Sequence, residues 1–266
     1  MEVVLVQQAL VFGLVASSPL VVGALVGYRF RVPERVLAAM LAFAAGSLIT
    51  ALAFELFEDS YEQGGIWRAA LGLAAGAVVF TVLSHLLDRA ARADGSGEPE
   101  DTGSDKLDTD AATRERSPAA ASVRGAAGLA LLAAVTLDGV PENLALGVSL
   151  GAGTGGLALL AAIFVSNFPE ALVGSASMRA QGRSRGFVLG TWTVCAVLLA
   201  AAVVVGAGPL GSSSEETISL PLAFAAGAVL ASLADTLMPE AYEHGGPTVA
   251  LSTAAGFLLS FVLSTV

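Results

Sequence analysis

Long apolar runs alternate with short polar segments along most of this chain. Each run holds about 20 residues, the length that a helix needs to cross about 30 Å of hydrocarbon. The pattern predicts an all-α, polytopic membrane protein with eight transmembrane helices. These spans are expected near residues 5–27, 36–57, 66–87, 125–150, 155–178, 186–206, 218–239 and 248–266.

The composition agrees with a membrane protein. Hydrophobic residues make up 55% of the 266 positions and charged residues only 14%, whereas a soluble domain carries about 25% charged residues. The formal net charge is −10. It excludes a nucleic-acid-binding role, because an acidic surface repels phosphates. The expected partners are the lipid bilayer and divalent metal ions, with no nucleic acid.

Basic residues are distributed unequally between the predicted loops. With eight spans, 12 of the 13 Lys and Arg residues fall on one side and only Arg68 falls on the other. Because basic loops stay in the cytoplasm, the chain is expected to lie in the cytoplasmic membrane with both termini extracytoplasmic. The polar segment 89–122 is predicted to be a disordered cytoplasmic loop within a single transmembrane domain, 1–266.

A stretch of the second span recurs in the seventh. Residues 41–65 and 222–246 are identical at 13 of 25 positions without gaps. The copies are five spans apart, an odd number, so they are expected to cross in opposite directions. This predicts an inverted repeat, spans 1–3 versus spans 6–8, around a central hairpin of spans 4 and 5, as in many secondary transporters. The acidic ends of the copies, which include Glu55 and Asp235, could raise the local cation concentration at the mouth of a pathway, although each residue taken singly is expected to be a solvated helix end.

Spans four and five each carry a proline that is followed at once by a glutamate. Residues 138–145 read Asp-Gly-Val-Pro-Glu-Asn-Leu-Ala, and residues 166–173 read Ser-Asn-Phe-Pro-Glu-Ala-Leu-Val. A carboxylate at the centre of a spanning helix costs about 2.5–3.5 kcal/mol. Each proline also frees the carbonyl four residues earlier from its amide donor. A carboxylate and a spare carbonyl at one depth are typical of a cation site.

The two Pro-Glu motifs are expected to face each other across a short, uncharged turn. Helical spacing puts the polar side chains of each motif on one face, whereas Asn143 is expected to pack against a neighbouring helix. Three carboxylates together in hydrocarbon repel one another, so a divalent cation or a proton should bind among them. The predicted metal site consists of Asp138, Glu142, Ser166, Asn167 and Glu170.

At these residues the chain resembles the ZIP family of divalent-metal transporters. The resemblance covers nearly the whole chain: eight spans, external termini, a variable loop between spans three and four, and the paired Pro-Glu motifs. The family typically has His-Asn-x-Pro-Glu-Gly in span four and a similar motif in span five. Those residues form a midplane, often binuclear, metal site. The resemblance implies uptake of a divalent metal, and it implies a homodimer.

The chain departs from the family pattern where histidines are usual. Asp138 and Ser166 stand in their places, Gly139 replaces the usual asparagine, and span six, 186–206, has no carboxylate. One metal site of the usual pair is therefore expected to be missing. The remaining ligands are oxygen donors, which suit Mn²⁺, Fe²⁺ or Mg²⁺ relatively better than an imidazole site does, while Zn²⁺ and Cd²⁺ stay open as substrates.

The sequence thus predicts a divalent metal cation transporter for which the metal is the substrate. A non-transporting metal sensor or scaffold with the same fold is the alternative, motivated by the missing histidines. An enzyme is not expected, because no His-Glu-x-x-His motif occurs. Gly-x-Ser-x-Gly does occur, at 147–151 and 182–186, but neither stretch follows a predicted strand, which a nucleophile elbow requires. In addition, neither His85 nor His244 lies near the carboxylates in the predicted topology.

Overall fold

The computed structural model describes residues 2–95, 135–137, 139–153, 156–210 and 213–265. Within these ranges the regular elements are all helical, which confirms the predicted all-α class. The α-helices are α1 (Glu2–Arg29), α2 (Glu34–Ala51), α3 (Glu58–Gly95), α4 (139–152), α5 (Leu157–Ala180), α6 (Arg185–Val205), α7 (Glu215–Ser232), α8 (Met238–Gly245) and α9 (Thr248–Ser264). Short π-helical stretches cover Leu52–Phe57, Gly206–Leu210 and Leu233–Leu237.

Five helical segments of the described chain are long and apolar enough to cross a membrane, and α9 is apolar but shorter. One of the five, Glu34–Leu87, has 54 residues, or about 80 Å of helix, far more than the hydrocarbon thickness. Gly65 interrupts it with φ 73° and ψ 171°, a backbone conformation that glycine adopts without steric cost. The chain is therefore a multi-pass membrane protein.

Large apolar side chains cover the outer surface of the helices. Leu14, Val82, Val197 and Leu258 are between 52 and 62% exposed, and they come from four different helices. In water, a continuous apolar surface of this kind would drive association. In a bilayer it contacts hydrocarbon at no cost, so the surface is suited to lipid.

Helix packing divides the described chain into two bundles. α1 packs against α5 and α6, and α4 packs against α6 where Gly147 meets the carbonyl of Val203. α2 packs against α8 and α9, and α3 packs against α7. We call α1, α4, α5 and α6 the first bundle and α2, α3, α7, α8 and α9 the second bundle. Contacts between the bundles include those of α5 with α2 and α9.

The two copies of the repeated sequence make equivalent contacts in the second bundle. Gly46 lies against the carbonyl of Thr253 in α9, and its counterpart Gly227 lies against the carbonyl of Leu73 in α3. Neither position has room for a Cβ atom. Small residues let helix backbones approach closely in membranes, so both helix crossings depend on these glycines.

The copies also leave regular α-helical geometry at equivalent positions. The π-helical stretches Leu52–Phe57 and Leu233–Leu237 begin at corresponding leucines of the repeat. Each copy then ends at a glycine with positive φ, 73° at Gly65 and 56° at Gly246. The two copies therefore share backbone geometry as well as sequence.

Several helices are longer than the apolar runs predict. The second span, expected to end at residue 57, stays helical up to the break at Gly65, and α3 continues to Gly95, into the predicted loop 89–122. Loss of hydrophobicity marks the edge of the hydrocarbon, whereas a helix satisfies its own backbone and can continue into water. The rest of that loop, and span four before residue 135, lie outside the described residues.

Candidate metal centre

Glu142 is the only fully buried acidic residue in the described part of the chain, with 5% of its surface exposed. It follows Pro141 in α4, and the nearby Ala145 and Leu146 are buried apolar residues. Pro141 has no N–H group, so it cannot pair with the carbonyl of Leu137. An ionised carboxylate buried in apolar surroundings costs several kcal/mol unless it is paired or binds a cation. Glu142 is therefore kept inside the membrane at a cost, and carboxylates in that position commonly mark an ion or substrate pathway.

The polar residues of the second motif lie on α5. Ser166 and Asn167 are buried, with 1 and 2% exposed, and Glu170 is half-buried. The Ser166 hydroxyl donates to the carbonyl of Ile163 at 3.1 Å, which leaves its oxygen available as an acceptor. Asn167 Nδ2 donates to the carbonyl of Ala16 in α1 at 2.8 Å. That bond turns the amide nitrogen toward α1 and fixes the orientation of Asn167.

Four of the five predicted ligands are described, and all four belong to the first bundle. They are Glu142 on α4 and Ser166, Asn167 and Glu170 on α5. Asp138, the third predicted carboxylate, lies outside the described residues. Within the described ranges no three His, Cys, Asp or Glu side chains are grouped so that they could hold a metal ion. The described members of the predicted site are thus two carboxylates and two neutral oxygen donors, divided between α4 and α5.

An apolar side chain occupies the space beside Gly139. A Cβ atom built on Gly139 would lie 2.9 Å from Cδ1 of Leu199, and all three of its nearest atoms belong to that leucine. Leu199 comes from α6 and is fully buried. The side of α4 that faces α6 at this level is therefore closed by hydrocarbon and offers no ligand from Gly139.

Asn143 is a buried polar residue that the sequence prediction left out of the site. It is 0% exposed, and its Nδ2 donates to the carbonyl of Gly139 at 2.8 Å. Its Oδ1 has no hydrogen-bond donor in the described part of the chain. Asn143 lies one helical turn after Gly139. This spacing is the only sequence signal that could have pointed to it.

Glu55 connects the two bundles at the start of α5. The backbone N–H of Leu159, in the first turn of α5, donates to Glu55 Oε2 at 2.8 Å. Gly156, the residue before α5, has φ 95° and supplies no capping side chain. The carboxylate therefore satisfies an amide that the helix itself leaves unpaired, and its charge suits the positive end of the helix dipole. The expectation that Glu55 is solvated is wrong.

Asp235, in the second copy, forms a different kind of contact. Its Oδ2 accepts a 2.9 Å hydrogen bond from the hydroxyl of Ser84 in α3, and the residue is exposed. Both partners belong to the second bundle. This acidic helix end therefore does not contact the helices that carry the Pro-Glu motifs in the way that Glu55 does.

Comparisons with known proteins add no assignment to this site. No protein-family model matches the chain, and no functionally described protein sequence matches it. Its function is therefore inferred from the residues and their geometry.

Proposed function

We propose that this chain is a divalent metal cation transporter of the cytoplasmic membrane, similar to the ZIP family, that takes up its substrate into the cytoplasm. The observation that carries the proposal is Glu142, a buried carboxylate next to a proline inside an apolar membrane bundle. Intramembrane carboxylates are costly, and they commonly mark ion or substrate pathways. Ser166, Asn167 and Glu170 supply further oxygen atoms on the neighbouring helix α5.

The proposed topology has eight spans and an inverted repeat. The interruption at Gly65 supports it, because it divides the 54-residue apolar segment into two lengths that each suit one crossing. The equivalent contacts of Gly46 and Gly227 support the repeat, as do the equivalent π-helical stretches. In transporters with inverted repeats the substrate site lies near the midplane, which is the depth proposed for Glu142.

The proposed substrate ligands are Asp138, Glu142, Ser166, Asn167 and Glu170. All are oxygen donors, a set that suits Mn²⁺, Fe²⁺ and Mg²⁺ and still accommodates Zn²⁺ or Cd²⁺. A divalent ion removes the repulsion between the carboxylates that would otherwise destabilise the empty site. Protons should therefore compete with the metal for this site.

Alternating access requires that the site open to one side at a time. The two Pro-Glu motifs belong to the first bundle, and the contacts of that bundle with the second include those of α5 with α2 and α9. We expect the change between open states to take place at this junction. Glu55, which bonds to the first turn of α5, lies at its edge.

Metal flux into proteoliposomes tests the proposal. The purified chain would be compared with a Glu142→Gln, Glu170→Gln double variant for uptake of Mn²⁺, Fe²⁺, Zn²⁺, Cd²⁺ and Mg²⁺. Because both substitutions keep the shape and remove the charge, flux should fall by about 100-fold while the protein stays folded; loss of even a supporting group costs 10–100-fold. Absence of flux for every metal from folded wild-type protein would overturn the transport proposal.

Glu216→Gln provides a matched control for that experiment. This variant also removes one carboxylate, but the Glu216 side chain is 71% exposed and pairs with Arg68 at 3.0 Å, away from both Pro-Glu motifs. We expect its flux to equal that of the wild type. If this control loses as much flux as the double variant, the effect comes from a general change in charge, and the motif carboxylates have no special role.

The non-transporting sensor or scaffold is the second candidate function. The observation that favours it is Leu199, which closes the space beside Gly139 and leaves fewer ligands than a binuclear site needs. A sensor would bind metal without moving it. Saturable binding that requires Glu142, together with no flux in proteoliposomes, would favour the sensor.

A further inference from the structure

Asn143 has a buried amide oxygen that accepts no hydrogen bond from any described residue. The residue is 0% exposed in the interior of the first bundle, and no donor in the described ranges reaches Oδ1. A buried acceptor without a donor costs about 1–3 kcal/mol. In a bilayer, water is not available to relieve this cost from the lipid side. An atom kept in this state is a natural ligand for a cation.

The hydrogen bond of the amide nitrogen defines the orientation of the side chain. Nδ2 donates to the carbonyl of Gly139, and the amide oxygen carries no hydrogen to donate, so the nitrogen and oxygen of the amide are distinguished. The bond holds the side chain over the preceding helical turn, which also carries the Pro-Glu motif. The Oδ1 atom is thereby held on α4, one residue after Glu142 in the chain, and away from solvent.

We propose that Asn143 Oδ1 is a further ligand of the divalent cation bound at Glu142. The inference rests on the proposed function and extends its ligand set. Amide oxygens are normal ligands of hard divalent cations, and a neutral ligand adds coordination without adding repulsion to Glu142 and Glu170. The cation in turn gives Oδ1 an electropositive partner, which no described residue provides.

Mn²⁺ binding to the purified full-length protein in detergent tests this inference. The electron paramagnetic resonance signal of free Mn²⁺ falls as the ion binds, so a titration gives the dissociation constant. We expect Asn143→Ala to raise that constant about tenfold. Asn143→Asp keeps an oxygen and adds a charge, although it loses the bond to Gly139, so it should bind Mn²⁺ at least as tightly as the wild type.

A purely structural role for Asn143 predicts the opposite pattern. If the bond to Gly139 were its only contribution, both variants would lose thermal stability alike and both would bind Mn²⁺ with wild-type affinity. That result would overturn the inference and leave the proposed function intact. A wild-type protein that is folded and binds neither Mn²⁺ nor Zn²⁺ would instead overturn the proposed function, and the inference with it.

A third variant covers the case in which Asn143→Ala does not fold. In Asn143→Ser the shorter side chain can donate its hydroxyl to the carbonyl of Gly139, as serine does within helices, so the helix keeps an equivalent bond. The hydroxyl cannot reach as far as Oδ1. We expect this variant to be folded and to bind Mn²⁺ about tenfold more weakly, and wild-type affinity in it would count against the inference.

Discussion

The two copies of the repeated sequence, residues 41–65 and 222–246, are alike in backbone and different in their polar contacts. Both carry a glycine at a close helix crossing, both pass through a π-helical stretch, and both end at a glycine with positive φ. Glu55 of the first copy bonds to α5 in the first bundle. Its counterpart Thr236 bonds to the carbonyl and the hydroxyl of Ser232, one turn earlier in the same helical segment.

Some features of the repeat stabilise the second bundle itself, whereas another connects it to the first bundle. The features that the copies share are apolar and steric, and they stabilise the second bundle at both ends. One contact that they do not share is made by the carboxylate of Glu55, and it joins the second bundle to the helix that carries Asn167 and Glu170. The two copies are therefore expected to be equally sensitive at their shared glycines and unequally sensitive at Glu55 and its counterpart. Variants at equivalent positions can measure this difference in stability.

The largest effects are expected at the shared glycines. Gly46→Leu and Gly227→Leu each put a side chain against a backbone carbonyl that cannot move aside, so each should cost about 3 kcal/mol or more. The loss of stability would be measured by heating the protein in detergent and monitoring the folded fraction by size-exclusion chromatography. Because the crossings are equivalent, the two variants should lose similar amounts.

Gly190→Leu is the matched control, since a Cβ atom on Gly190 meets no atom within 4 Å and the added side chain would face the outside of α6. We expect little change in its thermal stability. A severe effect at Gly46 together with a neutral one at Gly227 would show that the two crossings are not equivalent.

A smaller, asymmetric effect is expected at Glu55. Glu55→Ala removes the carboxylate that accepts from Leu159 N–H, a loss similar to that of an N-cap residue, about 0.5–2 kcal/mol. Thr236→Ala, at the equivalent position, removes only bonds within its own helical segment and should cost less. Thermal unfolding would compare the two variants, and equal losses would contradict a connecting role for Glu55.

The smallest effect is expected at a pair of hydrogen-bonded serines whose counterparts in the repeat are both alanines. Ser60 and Ser219 donate to each other's backbone carbonyls at 2.8 Å, whereas the equivalent positions in the repeat are Ala241 and Ala38. Hydroxyl bonds between membrane helices average about 0.6 kcal/mol each. The Ser60→Ala, Ser219→Ala double variant should lose about 1 kcal/mol, and a gain in thermal stability would contradict this.

The helical class could be predicted because hydrocarbon permits few backbone solutions. A backbone in lipid must satisfy its own hydrogen bonds, so apolar runs of about 20 residues predict helices without knowledge of packing. The π-helical stretches could not be predicted. Leu52–Phe57 and Leu233–Leu237 contain no proline or glycine to mark them, and their geometry depends on how the long helices pack.

The candidate site could be predicted only in part. The Pro-Glu motifs identified Glu142, because a carboxylate in an apolar run is visible in the sequence, and the structure describes that residue as buried. The hydrogen-bond partner of Glu55 could not be predicted, because it depends on which helix begins nearby. The lack of a described donor for Asn143 Oδ1 could not be predicted for a related reason. Whether a buried acceptor has a donor depends on side chains from other helices.

The glycines that end the two copies determine where reporter groups can be attached. Helices on either side of Gly65 are joined by that residue alone, and Gly246 is followed within two residues by α9. An epitope or fluorophore inserted at either turn would have to separate helices that pack immediately beside it. The exposed bend around Gly182, between α5 and α6, has a longer non-helical connection. It is the better position for a tag that reports which side of the membrane a loop faces.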